Sequence, residues 1–459
     1  MWWRPNARDA RVCGVLSAGY DDLSLELIGS FEATERLASL AAYPVLHGTT
    51  TSGKHLTLIN SSMRKMSFGM GAIDIPSTLL SPAAVLVGAH LDDPLTAVWD
   101  ASSIELERLT AWAEPHGLAQ SLQLTEESRL AAASFRYEVP PSVERHVPGA
   151  AVTIGPTQHL STDLVHEARI TVSVTARFTL DEFATIDDIQ QRYLKPLLDL
   201  VIFATQKPTS ILSFRVSIGS PRAEIEVVQR RDPPAEDERK RLSPADALFL
   251  LPDLLEGSPD ALDVWYRAAG ELERPFDLVS AVRSRPTLFL EHRLLNVVQA
   301  AERYHEVRVD GAAMTEEEWE RVVAAATDAA GSPELARQLR DRMATVKRPS
   351  LRTRIEDLLT QGGDPLRGLL VDPATLASRA SRLRNDLSHG NVTDDRHREV
   401  FDTSEELLLV LEFHFLRELG FAAEDAAARL RRASSSYSGL WLRRREDPAV
   451  GNDSRETNP

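Results

Sequence analysis

The chain has 459 residues, 43% of them hydrophobic and 26% charged, the balance of a globular protein with two or three domains. A net charge of −16 excludes a general nucleic-acid coat, which would be basic, but leaves room for a local basic patch that positions one phosphate. The single cysteine excludes an internal disulfide and any cysteine-cluster metal site.

The first twenty residues, MWWRPNARDARVCGVLSAGY, lack the apolar core and small-residue cleavage site of a signal peptide. No run of about 18 apolar residues exists to span a membrane. A cytoplasmic protein with no membrane partner is expected. The next stretch reads as β-rich. Leu23, Leu25 and Leu27 alternate with polar residues, and YPVLHGTTTSGKHLTLINSS reads as two strands joined by a turn containing Gly53. AAVLVGAHL (83–91) predicts a more buried strand, and SIELERLTAWAE a helix packing through Ile104, Leu106, Leu109 and Trp112. Residues 167–180, EARITVSVTARFTL, alternate again; a helix IDDIQQRYLKPLLDLVIFAT and a strand SILSFRVSI follow.

Composition then shifts. QRRDPPAEDERKRLSP (229–244), with paired prolines and dense mixed charge, is linker chemistry, and only helices are expected beyond it. RPTLFLEHRLLNVVQAAERYHEVRV places Pro286 near a helix start, with the stripe Leu290, Leu294, Val297, Val298, Ala301, His305. SLRTRIEDLLTQGG is a shorter helix stopped by Gly362. DPATLASRASRLRNDLSHG has Asp372 as N-cap, Pro373 at the first helical position and Gly390 past the end. TSEELLLVLEFHFLRELGF opens at Thr403 or Ser404 and closes at Gly420. Four helices with short connections predict a bundle.

The third of these helices poses the functional question. At about 100° per residue its core stripe is Leu376, Ala380, Leu383 and Leu387. Arg384 flanks that stripe, while Asn385 and His389 stack on the opposite face. Arg384 and His389 therefore converge only if the arginine reaches across the surface or a second copy of the helix faces the first, as two-fold symmetry would arrange. A polar triple opposite a core stripe is also what an ordinary exposed helix end looks like.

Arg384, Asn385 and His389 reproduce an Arg-Asn-x-x-x-His motif on a late helix of a bundle behind a β-rich front half, and on these residues the chain resembles the ApeA-like branch of the HEPN domains. QAAERYH (299–305) resembles the family's first-helix pattern, and YPVLHGTTTSGKHLTLIN, AVLVGAHL and LTAWAE fall in the order of its N-terminal domain. The resemblance implies an α+β multidomain protein, a β-rich N-terminal region followed by an all-α HEPN bundle. It implies an anti-phage, abortive-infection ribonuclease that dimerises through its HEPN domain, with RNA as substrate and a possible phage-derived trigger on the N-terminal region. The expected layout is a sensor over 1–230, a charged linker with short helices over 231–285, the HEPN domain over 286–445 and a disordered tail over 446–459.

The residue types fit metal-independent RNA cleavage. Histidine serves as general acid or base near neutrality, arginine holds phosphate oxygens in a fixed fork, and Asn385 is one turn from His389. The expected ends are 2′,3′-cyclic phosphate and 5′-hydroxyl, with no cofactor and no metal. Glu302 flanks the first-helix stripe, either orienting Arg384 or His389 or making a structural ion pair. Arg431, Arg432, Arg443 and Arg444, around Tyr437 and Trp441, are candidate RNA contacts or a solvated helix end and tail. A non-catalytic HEPN module that binds RNA or a nucleotide, or only dimerises, is the alternative.

Other constellations carry less. His47 and His55 straddle a turn, and His90 with Asp92 and Asp93 reads as loop chemistry. FGMGAIDIP lacks the lysine of a phosphate-cradling loop, no Gly-x-Ser-x-Gly is present, and Cys13 is expected to be packed in a strand.

Overall fold

The computed structural model describes residues 1–433 apart from 21, 32–41, 68–75, 97, 126–127, 164–167, 220–223, 232–246, 286–287, 310–315, 347–348 and 390–395. The architecture is α+β, in two compact units: residues 1–201 with 209–241, and residues 202–208 with the chain from 242 onward.

The first unit opens with strands β1 (Trp2–Arg4), β2 (Ala7–Ala18), β3 (Leu23–Ile28), β4 (Ala42–Thr49), β5 (His55–Ser67), β6 (Ser77–Ser81) and β7 (Ala84–Val87). After β8 (Trp99–Leu106) and the short helix α1 (Leu109–Ala113) come β9 (Leu118–Leu124), β10 (Leu130–Tyr137), β11 (Val143–Val147), β12 (Ala150–Thr162) and β13 (Ala168–Ala184). Helix α2 (Ile186–Ile189) runs through a π-turn (Gln190–Leu194) into α3 (Lys195–Thr205), and β14 (Ile211–Ser217) and β15 (Ile225–Gln229) follow.

Among the described residues, thirteen of these strands make one sheet in the order β11-β12-β13-β8-β14-β15-β7-β5-β4-β1-β2-β3-β6. The first part of β5 bonds β4 and β7, and its far end bonds β6. The run β5-β4-β1-β2-β3-β6 thereby closes on itself as a six-stranded antiparallel ring without free edges. Leu23, Leu25, Leu27, Leu46, Leu58 and Leu80 fill its core. Trp2 and Gly48 are cross-strand partners, and a Cβ on Gly48 would drive into the indole ring. Gly48→Ala is therefore expected to cost about 1–3 kcal/mol through overpacking, read as a lower urea midpoint for this unit.

Two expectations change here. SIEL (103–106) is strand, not helix: Ser102, Ile104 and Leu106 alternate into the core between β13 and β14, and the helix begins only at Leu109. Period two wins because both flanks of β8 are occupied by paired strands. Cys13 is exposed on β2 rather than packed.

The second unit consists of α4 (Leu251–Gly257), α5 (Ala261–Glu271), α6 (Glu273–Ser284), α7 (Leu290–Arg308), α8 (Glu316–Asp328), α9 (Pro333–Val346), α10 (Leu351–Arg367), α11 (Leu376–Ser388), α12 (His397–Glu418) and α13 (Ala423–Arg432). Its aromatic core stacks Phe203 on Trp265 at 6.0 Å and Trp265 on Phe276 at 4.4 Å, with Phe415 edge-on to Phe276 at 4.5 Å. No helix among the described residues is long and apolar enough to cross a membrane.

Helix boundaries shift from the sequence expectation. Asp372 takes the Thr375 hydroxyl at 2.5 Å, and α11 begins after Thr375 rather than at Pro373. Helix α12 starts at His397, six residues before Thr403, because its first turn is polar and shows no apolar period. Helix α10 continues to Arg367, broken at Gly363, whose φ of 62° is left-handed. Pro286, Gly390 and most of the charged linker lie outside the described residues.

Candidate functional site

Helix α11 buries Leu376, Ala377, Ala380 and Leu383, while Leu387 is half-buried. Arg384, Asn385 and His389 are exposed. Arg384 donates from Nη1 to Asn385 Oδ1 at 3.3 Å. His389 is the C-cap: its backbone N–H donates to the carbonyls of Asn385 and Asp386, each at 3.2 Å. The motif thus occupies the last turn and cap of one helix.

A charged frame fixes this turn. Arg396 donates to Asp386 Oδ2 at 2.6 Å and to Glu399 Oε2 at 3.2 Å, and Arg382 also pairs with Glu399. Farther back, Arg379 donates to the buried Glu406 at 2.7 Å. Among the described residues, Arg384 alone of the three α11 arginines has no carboxylate partner. A cation left un-neutralised within one turn of a histidine can hold an anion; its neighbours already have theirs.

His397 approaches Glu291 at 3.6 Å, so the first turn of α7 shares the bundle end with the last turn of α11. Glu302 stands eleven residues farther along α7, about 16 Å away along the helix at 1.5 Å per residue. Its main-chain carbonyl accepts from Arg354 at 2.8 Å, and among the described residues no hydrogen bond or ion pair joins its carboxylate to Arg384 or His389. Within one chain the structure brings Arg384, Asn385 and His389 to one end and leaves Glu302 elsewhere. His305 is buried and bonds Asp357 at 2.8 Å. Arg431 and Arg432 lie exposed in the last turn of α13, whereas Arg443, Arg444, Tyr437 and Trp441 lie outside the described residues.

Glu406, behind α11, is pushed up to about 7 by burial, which outweighs the attraction of Arg379. A carboxyl whose folded value exceeds its unfolded one stabilises most below the unfolded value, and that stabilisation is lost as pH rises through about 7. The buried His414, held low chiefly by desolvation, acts with the opposite sign, so a difference measurement is needed. The stability of wild type relative to Glu406→Gln is expected to fall between pH 4.5 and 8 by on the order of 3 kcal/mol, measured by urea unfolding at each pH.

A second cluster joins residues that were only neighbours in a turn or loop. His90 stacks on His47 at 4.9 Å and meets His55 at 4.3 Å and Trp3 at 5.0 Å. His47 and His90 each bond a main-chain carbonyl through Nε2, at 3.0 Å to Leu91 and 2.8 Å to Gly48. Burial, with the charges of His55, His47 and Arg8, holds His90 below the ordinary histidine value against its bond to Gly48. The rings tie the loop after β7 to β4 and β5. Nothing in the spacing of 47, 55 and 90 announced this, because the sheet register brings them together. Among the described residues, no group of three or more histidine, cysteine or carboxylate side chains is placed to hold a metal ion.

Comparison with curated proteins and with solved structures found no match. The family model for ApeA N-terminal domain 1 matches residues 1–260, and that for Apea-like HEPN matches residues 295–425, which include α11 and its motif. With both models matched in order and most of the chain covered, the chain belongs to the ApeA-like HEPN family.

Proposed function

We propose that the chain is a metal-independent endoribonuclease of anti-phage defence, acting in the cytoplasm by abortive infection. The observation that carries this reading is Arg384: an exposed arginine with no carboxylate partner among the described residues, on the same helix end as His389, in a chain of this family. Arg384 holds the non-bridging oxygens of one phosphodiester and meets the charge that grows on phosphorus. His389 takes the proton of the adjacent 2′-hydroxyl; the 2′-oxygen attacks phosphorus, and the bond to the 5′-oxygen breaks. The leaving oxygen receives its proton from solvent water. The products are a 2′,3′-cyclic phosphate and a 5′-hydroxyl. Asn385, bonded to Arg384, sets the tilt of the guanidinium.

Because Arg384 and His389 lie on different sides of one helix, a homodimer through the HEPN bundle supplies the convergence. Residues 1–230 serve as sensor for a phage-derived trigger, 231–285 as connection and 286–445 as nuclease, with Arg431, Arg432, Arg443 and Arg444 as outlying RNA contacts. The test is incubation of purified wild type and Arg384→Ala with total cellular RNA in excess EDTA, with and without infected-cell lysate, and chemical mapping of the ends. Cyclic-phosphate ends from wild type alone are expected. RNA bound by wild type but never cut would overturn the reading in favour of a binding module.

A further inference from the structure

Strands β9 and β10 form a two-stranded ribbon apart from the main sheet. Its register pairs Leu118 with Tyr137, Gln120 with Phe135, Leu122 with Ala133 and Leu124 with Leu130. Directly opposed residues point to the same side, so these eight share one face, and Ala119, Ser121, Gln123, Ser134 and Arg136 the other. Leu118, Leu122, Leu124, Leu130 and Phe135 on the first face are 51–63% exposed. An isolated hairpin is marginal in water, and one that turns five large apolar side chains outward lacks the cover that would stabilise it.

We propose that this face is a self-association surface, covered by the same face of a second copy of the chain. None of its eight positions carries a charge, on a chain of net charge −16, so it repels neither its own copy nor attracts a phosphate backbone. Covering the five side chains on two copies removes roughly 1,100 Å² of surface, close to the lower bound of about 1,200 Å² for specific interfaces. The row is also self-complementary in size. Ala133, its smallest member, lies two residues from Phe135, so a two-fold pairing sets each phenyl ring against the other copy's low point.

The test uses the full chain and does not depend on ribonuclease activity. Cys13 is the only cysteine, so Cys13→Ser gives a thiol-free background. Single variants Gln120→Cys and Ser121→Cys, adjacent in sequence but on opposite faces, are treated with a short bismaleimide and run on denaturing gels. Gln120→Cys is expected to give a covalent dimer at least ten times faster than Ser121→Cys. Adding Leu122→Asp to Gln120→Cys is expected to abolish the dimer while far-UV circular dichroism is unchanged. Equal cross-linking at both positions, or none at Gln120→Cys, would overturn the proposal. Cross-linking of Gln120→Cys only after addition of phage-infected lysate would assign the face to a foreign partner and overturn it as well.

Discussion

Replacing His389 with alanine is expected to lower RNA cleavage about a thousandfold, the middle of the range for loss of a general acid or base, with no change in the unfolding midpoint. The fold is spared because the imidazole is exposed and the capping bonds at this position are made by its backbone N–H. On the proposed mechanism Arg384→Ala removes a phosphate contact, and it is expected to cost about 10²–10³-fold. Arg384→Lys should recover little of this, since an ammonium lacks the planar fork. A sharper result follows from mixing the two inactive variants. If Arg384 of one copy works with His389 of the other, a heterodimer of Arg384→Ala with His389→Ala has one doubly damaged site and one intact site. Random exchange should then restore about a quarter of wild-type activity, since half the dimers are mixed and each carries one good site. If each site uses its own chain's pair, every site in the mixture carries a lesion and no activity returns. Initial rates of cleavage after co-refolding decide between them.

What the sequence revealed depended on whether the signal was local. Leu23, Leu25 and Leu27 show a two-residue period and are fully buried, and the stripe Leu294, Val297, Val298, Ala301 of α7 shows a helical one. The Arg-Asn-x-x-x-His spacing was equally local, so its face on α11 could be worked out before any coordinates. Ring closure through β5 and β6 was not legible, because it depends on a thirteen-residue strand changing partners along its length. Nor was the ribbon β9–β10, whose LAQSLQL and LAAASFRY have weak alternation and many small residues. The frame Asp386–Arg396–Glu399–Arg382 crosses between two helices, and only the fold shows that Arg384 is left out of it. Glu302 illustrates the same limit. Its place on the wheel of α7 was readable, but its height along the bundle was set by the pairing of His397 with Glu291.

Arg283→Met is expected to destabilise the helical unit by about 3–5 kcal/mol at pH 8, the usual result of stripping a buried charge of its partner. Arg283 on α6 grips Glu412 on α12 with two bonds of 2.7 Å, and both side chains are almost wholly shielded from water. Burial raises the Glu412 carboxyl above the ordinary range even with the arginine and Gln206 opposing it. Without the arginine that rise must grow, so the variant holds a proton that wild type releases more readily. The deficit is therefore largest at alkaline pH and shrinks as the pH falls toward the ordinary carboxylate range, where the lone Glu412 is neutral and burial costs less. Adding Glu412→Leu to Arg283→Met should recover most of the loss, since a matched apolar pair has no charge to desolvate. Urea unfolding of both variants at pH 5 and pH 8 checks this, with hydrogen exchange on α6 and α12 locating the effect. A deficit independent of pH would point to lost packing by the arginine stem instead of a stranded carboxylate. The contrast with Arg384 follows from position on the bundle: the guanidinium on α6 neutralises a carboxylate inside it, whereas the one on α11 stands at its exposed end.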